Sequence, residues 1–441
     1  MQPLEYGVAT ASYQVEGAVD EDGRGRSIWD TLCDRPGAIL DGSSGAVACD
    51  QYHRLDEDLD LVRDLGVSAY RFSVAWPRVQ PTGSGSVNAA GLDYYERLVD
   101  GLLARGLRPL PTLYHWDLPQ PLEDDGGWPV RATAERFAEY AAVVHARLGD
   151  RVTDWTTLNE PWCSAFLGYA AGVHAPGRRE PDAAYAAAHH LLLGHALAAE
   201  AIGGSGIVLN LTTVYADDEQ AGDAARFVDA IHNGTWLDPL LDGRYPEVLV
   251  AAVPGLSDPA LVREGDLARI QGSASWLGVN YYTPNRVTST PPQARAVGQD
   301  SSAYPYAPPH GYAPREPRTA MGWEVHPDSL EGLLVGLSRR APHLPLRVTE
   351  NGAAYDDDVR ADDGSVEDAD RVAYFDGHLA AVDRARAAGA DVRSYVAWTL
   401  LDNFEWAEGY TKKFGLVEIE PQTLRRLPKA SYRWYADRVR G

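Results

Sequence analysis

Short apolar runs recur along the chain, and amphipathic stretches separate most of them. The runs cover residues 6–12, 68–76, 107–116, 154–160, 206–215, 276–282, 345–350 and 392–400. Most end at Gly, Pro, Asn or Asp, the pattern of buried strands. Residues 54–65 set Leu55, Leu59, Leu61, Val62 and Leu65 near one helical face, with Asp and Glu opposite. Residues 93–105, 131–148, 181–203, 219–231 and 370–388 also read as helices. Gly106, Gly149 and Gly203 stop three of them, and Pro181 opens one at its first turn.

Eight strands alternating mostly with helices imply a parallel sheet, and eight is the number that closes a (β/α)8 TIM barrel. An open doubly wound sheet has the same local pattern, so the polar residues decide. Arg71, His115, Asn159, Glu160, Asn280, Tyr282, Glu350 and Trp398 lie within or at the ends of six different strands. An open sheet gathers its site at one switch point, whereas a barrel lets every strand reach one rim. The barrel is therefore expected. Long barrels fill this length as one unit, so residues 1–441 are read as a single domain with long loops on one face. Residues 283–320 break the rhythm with eight prolines, among them Pro291 and Pro292, and read as a long loop on that face.

Forty Lys and Arg against 63 Asp and Glu give a net charge of −23, which repels nucleic-acid backbones and anionic lipid. Neither is an expected partner. Cys33, Cys49 and Cys163 lack metal-ligand spacing and are odd in number, which favours a reducing compartment over a disulfide framework. No apolar run approaches the roughly 18 residues that span a bilayer. Strand-like sequence begins at Tyr6, leaving no room for a leader, and a cytoplasmic protein is expected. His189, His190 and His195 share a helix at metal-like spacing, yet no carboxylate or thiolate pattern accompanies them. They read as structural, and no metal or cofactor is indicated.

Glu160 and Glu350 each close an apolar strand, and an unpaired charge cannot be buried there for packing alone. Paired carboxylates in unlike environments do acid/base work on a glycosidic bond. Glu160 follows Asn159 on a strand carrying Trp155 and Leu158, surroundings that desolvate it. Arg71 and a Tyr hydroxyl from the sixth strand would hold Glu350 ionised. Trp398 and Trp406 offer aromatic faces to a sugar ring, while Gln14, His115, Asn159 and Glu405 offer polar groups to its hydroxyls.

Seven segments carry a resemblance in order along nearly the whole chain: residues 9–17 (ATASYQVEG), 70–76 (YRFSVAW), 114–119 (YHWDLP), 157–161 (TLNEP), 279–282 (VNYY), 348–352 (VTENG) and 402–406 (DNFEW). Together they resemble the family 1 glycoside hydrolases, the β-glucosidases. The resemblance implies a retaining double displacement with Glu160 as acid/base and Glu350 as nucleophile. It implies supporting roles for Asn159, which bonds the sugar 2-hydroxyl, and for Arg71, Tyr282 and Asn280. Substrate binding would fall to Gln14, His115, Trp116, Trp323, Trp398, Glu405, Trp406 and Phe414, with Trp323 and the 283–320 loop on the aglycone side.

The expected substrates are β-glucosides and cello-oligosaccharides such as cellobiose. Glu160 stands where the family's thioglucosidases carry Gln. A carboxylate at 405 would repel a sugar 6-phosphate by roughly 4 kcal/mol at 4 Å and an effective dielectric of about 20. Lys412 and Lys413 just downstream argue the other way. β-Galactosidase or β-fucosidase specificity, transglycosylation and a catalytically silent sugar binder use the same site residues, and no feature of the sequence selects an oligomeric state.

Overall fold

A computed structural model describes residues 2–290, 299–362 and 364–441. Eight strands form a closed barrel: β1 (Glu5–Ala9), β2 (Ala69–Ser73), β3 (Arg108–Tyr114), β4 (Thr156–Asn159), β5 (Ser205–Asn210), β6 (Ala274–Asn280), β7 (Leu346–Asn351) and β8 (Val392–Trp398). Each pairs in parallel with its neighbours in sequence, and β8 closes on β1 with Ala9 opposite Trp398. Parallel neighbours need crossovers. These are built around α1 (Leu55–Leu65), α2 (Ala89–Ala104), α3 (Arg131–Leu148), α4 (Pro181–Ile202), α5 (Pro327–Arg340) and α6 (Ala369–Ala387), and α7 (Ala430–Arg440) ends the chain.

The core is a layer of apolar side chains between strands and helices. Trp29, Trp76, Trp128, Trp162 and Trp236 are among its largest fully buried members. Trp76 stacks on Tyr140 of α3 at 4.9 Å, and Tyr140 donates to the Val74 and Leu113 carbonyls past β2 and in β3. The phenol thereby fastens a helix to two strands.

Several expectations need correction. The fifth strand stops at Asn210, short of the 206–215 run, because Val214–Ala216 leaves the barrel to pair with Asn285–Thr288. Gly311–Tyr312 adds a third strand to that outer sheet. Residues 283–320 are therefore not one irregular loop, although Pro291 and Pro292 lie outside the described residues. The 219–231 helix is a short turn, a helix at Gly222–Asp229 and a widened turn at Ala230–Gly234 that runs into Thr235–Asp242. Neither α5 nor α7 is anticipated by the sequence reading. In α5, Leu330, Leu334 and Leu337 share a buried face, and Pro327 occupies the first turn.

Three features shape the catalytic end of the barrel. Pairing of β7 with both neighbours shifts register around Thr349 and Glu350, a bulge that re-aims side chains at the strand end. Gly352 then passes so close to β8 that an added Cβ would lie 1.8 Å from the Trp398 carbonyl oxygen. Only glycine allows that approach. Glu160 takes a left-handed backbone, φ 42°, turning β4 directly into the helical segment that begins at Pro161. Trp116 and Trp406 are also left-handed, φ 75° and 50°. For non-glycine residues such backbones cost about 1–3 kcal/mol each and cluster at functional sites.

Candidate active site

The C-terminal strand ends open into one cavity. Glu160, Asn280, Tyr282 and Glu350 line its floor, with His115, Trp116, Trp398, Glu405 and Trp406 on one side and Trp323 and Phe414 on another. Gln14, Arg71 and Asn159 stand behind this lining, fully or almost fully buried. All the residues that the sequence places at strand tips thus converge.

Arg71 of β2 organises the centre. Its Nη1 pairs with Glu350 Oε1, and its Nη2 donates to Asn159 Oδ1 at 2.7 Å. The Tyr282 hydroxyl donates to the other Glu350 oxygen at 2.7 Å. A buried carboxylate with a guanidinium on one oxygen and a phenol on the other is fixed in position. Asn280 Nδ2 donates to Glu160 Oε1 at 2.6 Å and to Asn159 Oδ1 at 3.1 Å, while its own Oδ1 accepts from Thr349 at 2.8 Å.

Glu160 has no cation of its own. Burial, helped by the negative charge of Glu350, pushes its pKa up to about 8. Two carboxyl groups of one cavity thus have unlike settings, which is how acid and base roles are separated.

The aromatic wall is continuous. His115 lies nearly parallel to Trp398 at 5.9 Å and to Trp406 at 5.8 Å, and Trp116 meets Trp406 at 4.6 Å while donating to the Asn159 carbonyl at 2.9 Å. Burial and the Arg71 charge lower the His115 pKa well below the usual value, so the ring is neutral and accepts from Asn159 Nδ2 at 3.0 Å. Gln14 Nε2 donates to Asn403 Oδ1 at 2.9 Å, to the Phe404 carbonyl at 3.0 Å and to Glu405 Oε2 at 3.4 Å, leaving its Oε1 buried without a protein partner. Trp323 packs on Tyr282 and Phe414.

Two arguments from sequence change here. Burial and the nearby Glu350 and Glu160 raise Glu405 to about 8, so at neutral pH it is largely a neutral donor and not a fixed negative charge. Lys412 and Lys413 are bonded to the carbonyls of Ala320 and Asp356, at 2.9 and 3.1 Å. The three α4 histidines are buried hydrogen-bonders, and a carboxylate does accompany one: Asp266 bonds His189 at 3.0 Å and pairs with Arg131. The sequence hid that partner because it lies 77 residues away.

The cavity also includes residues the sequence reading omits, chiefly Trp162, Cys163, Leu167, His174, Asn210, His232 and Glu408. Two had a signal. Cys163 falls three positions after Glu160, about one helical turn. Asn210 ends β5 as Asn159 ends β4 and Asn280 ends β6, and the overlong fifth run concealed it.

A cavity at the strand ends of a barrel, with two buried glutamates in contrasting settings and an aromatic wall, defines a glycoside hydrolase site. The family model for glycosyl hydrolase family 1 matches residues 3–440, and the chain belongs to that family. It is 47% identical over 445 residues to a bifunctional β-D-glucosidase/β-D-fucosidase of Bifidobacterium breve, covering 98% of this chain and 96% of that one. Thermostable β-glucosidase B of Thermobispora bispora is 47% identical over 443 residues, covering 99% and 89%. The crystal structure of the psychrophilic β-glucosidase BglU from Micrococcus antarcticus superposes with a TM-score of 0.94 at 47% identity, over 99% of this chain and 96% of that one. A family 1 β-glucosidase from Thermotoga maritima gives 0.92 at 39%, over 100% and 98%.

Proposed function

We propose that the chain is a retaining β-glucosidase whose single domain, residues 1–441, releases terminal β-D-glucosyl groups from β-glucosides and cello-oligosaccharides. The observation that carries this reading is the contrast between the two glutamates: Glu350 clamped by Arg71 and Tyr282, and Glu160 desolvated and raised to about 8.

The arrangement supports a two-step reaction. Glu350, as the carboxylate, attacks the anomeric carbon while Glu160 gives its proton to the departing oxygen. The bond from carbon to aglycone breaks, and a glycosyl ester on Glu350 forms. Esterification removes the negative charge beside Glu160, and Glu160, now ionised, takes a proton from water as that water attacks the same carbon. The ester opens, Glu350 returns to its carboxylate, and the sugar leaves with its original β configuration. Trp398 lies under the ring in this reading. Gln14 Oε1 and Glu405 serve the sugar hydroxyls, and Trp323 with the outer sheet forms the aglycone side.

No helix among the described residues is long and apolar enough to cross a membrane. The three cysteines are free, which supports the proposed cytoplasmic setting.

Kinetics on matched aryl glycosides tests the assignment. The β-glucoside should be hydrolysed, with the β-fucoside and β-galactoside compared on the same enzyme and the 6-phosphoglucoside poorest of the four. Turnover of the 6-phosphoglucoside above the glucoside would overturn the substrate reading. Glu350→Gln should abolish turnover while leaving sugar binding measurable, and full turnover in that variant would remove Glu350 from the mechanism.

A further inference from the structure

We infer that the acidic proton of Glu160 resides on Oε2, and that the Cys163 thiol, facing that oxygen, is a positioning residue that sets how readily the proton leaves. The inference rests on the reading of Glu160 as acid/base.

A chain of hydrogen-bond constraints leads to it. A guanidinium only donates, so Asn159 must turn its Oδ1 toward Arg71 Nη2, at 2.7 Å. Asn280 approaches the same Oδ1 at 3.1 Å and must therefore present its Nδ2 there. Its Oδ1, at the opposite end, accepts from Thr349 Oγ1, in agreement. The same Nδ2 donates to Glu160 Oε1 at 2.6 Å. A proton on Oε1 would set two hydrogens against each other along that line, so Oε1 accepts and Oε2 carries the proton.

Oε2 faces Cys163. The thiol lies 3.2 Å from it, lines the cavity, and is oriented from behind by Asn210, whose Nδ2 points at the sulfur from 3.8 Å. With sulfur accepting there, the S–H, unlike the fixed amide hydrogen of Asn280, turns about the Cβ–Sγ bond: it stands clear of Oε2 while that oxygen carries the proton and swings onto it once the proton has left. Such a bond favours the ionised carboxylate, so the thiol makes Glu160 a readier acid in the first step and steadies it as a base in the second. The other groups that bear on Glu160 are Glu350 from β7, which holds the proton on, and Arg71 from β2, which draws it off, while Glu405 from the loop after β8 is itself largely protonated and adds little charge. The Tyr282 hydroxyl beyond β6 is committed to Glu350.

The test is the pH profile of kcat/KM for Cys163→Ala and Cys163→Ser, each on two glucosides. One has a poor phenol leaving group that needs the acid; the other releases 2,4-dinitrophenol, which does not. On the poor substrate, Cys163→Ala should move the basic limb up by about half a pH unit, and Cys163→Ser, a stronger donor, should bring it back to or below the wild-type position. The dinitrophenyl substrate should be unaffected within about twofold, since its departure needs no proton. A limb that stays put in the Ala variant, shifts alike in both variants, or is accompanied by equal losses on both substrates would show that Cys163 only packs. If Glu160→Ala keeps the wild-type limb, the acid/base reading itself is wrong, and the inference falls with it.

Discussion

Replacing Arg71 by Met removes the cation at the centre of the site at nearly constant side-chain length. Arg71 is 2% exposed and Glu350 3%, so the little water at the cavity floor replaces only part of what the guanidinium gives the carboxylate. Breaking a buried pair by deleting one partner costs about 3–5 kcal/mol. With about 2.1 cal/mol/K of unfolding entropy per residue, a chain of 441 residues loses roughly 1 °C of Tm per kcal/mol, so the drop should be about 3–5 °C. Glu350 then loses the partner that fixes one of its oxygens, and a carboxylate free to turn away from the anomeric carbon attacks poorly. Turnover should fall at least about 100-fold, roughly 2.7 kcal/mol of barrier. The double variant Arg71→Met, Glu350→Gln should recover more than half of the lost Tm while remaining inactive, because the neutral amide no longer needs a cation. Scanning calorimetry at one fixed rate, paired with steady-state kinetics, gives both readings. A single variant within 1 °C of wild type, or a double variant no more stable than the single, would refute the claim that this pair is a buried ionic contact.

Three further expectations concern proton transfer and loop placement. Glu160→Ala should slow hydrolysis of glucosides with poor leaving groups by about 10²–10⁴ and spare a dinitrophenyl glucoside, whereas equal losses on both would deny Glu160 the acid role. The wild-type kcat/KM should fall as pH rises through about 8: Glu160 is raised by burial and Glu350, and its proton is needed in the free enzyme, so loss lies on the alkaline side. A basic limb near an ordinary carboxylate value would contradict this. Lys429, fully buried, bonds Asp357 at 2.6 Å and Asp402 at 2.8 Å, and Asp402 begins the loop that carries Glu405 and Trp406. Lys429→Met should lower Tm by about 3–5 °C and raise KM more than it lowers kcat. An unchanged KM would mean that the contact does not position that loop.

The barrel was legible because most strands carry their own signal: a short apolar run, a polar tip, then a breaker. Residues 348–352 show all three, and the geometry adds a reason for the last, since Gly352 meets the Trp398 carbonyl. What the sequence hid is whatever depends on partners far along the chain. The outer sheet joins residues near 215, 287 and 312, each too short a run to read as a strand. Arg371, Asp357, Asp402 and Lys429 neutralise one another inside the protein, yet taken singly each looks like a surface charge. His232 reaches the cavity from a turn that widens beyond the ordinary helical repeat, where residue spacing no longer tells which face a side chain occupies. Glu405 is the reverse case: its presence in the pocket follows from the motif, but its charge state follows only from burial beside two other carboxyl groups.

The central claim is that Glu350 forms a covalent bond to the sugar while Glu160 serves first as acid and then as base. Proton NMR of the first seconds of hydrolysis of an aryl β-glucoside tests it most directly. β-Glucose should appear first, with the α anomer growing in later by mutarotation. Initial release of α-glucose would mean a single inverting displacement by water, with the two carboxyl groups too far apart for Glu350 to reach the anomeric carbon.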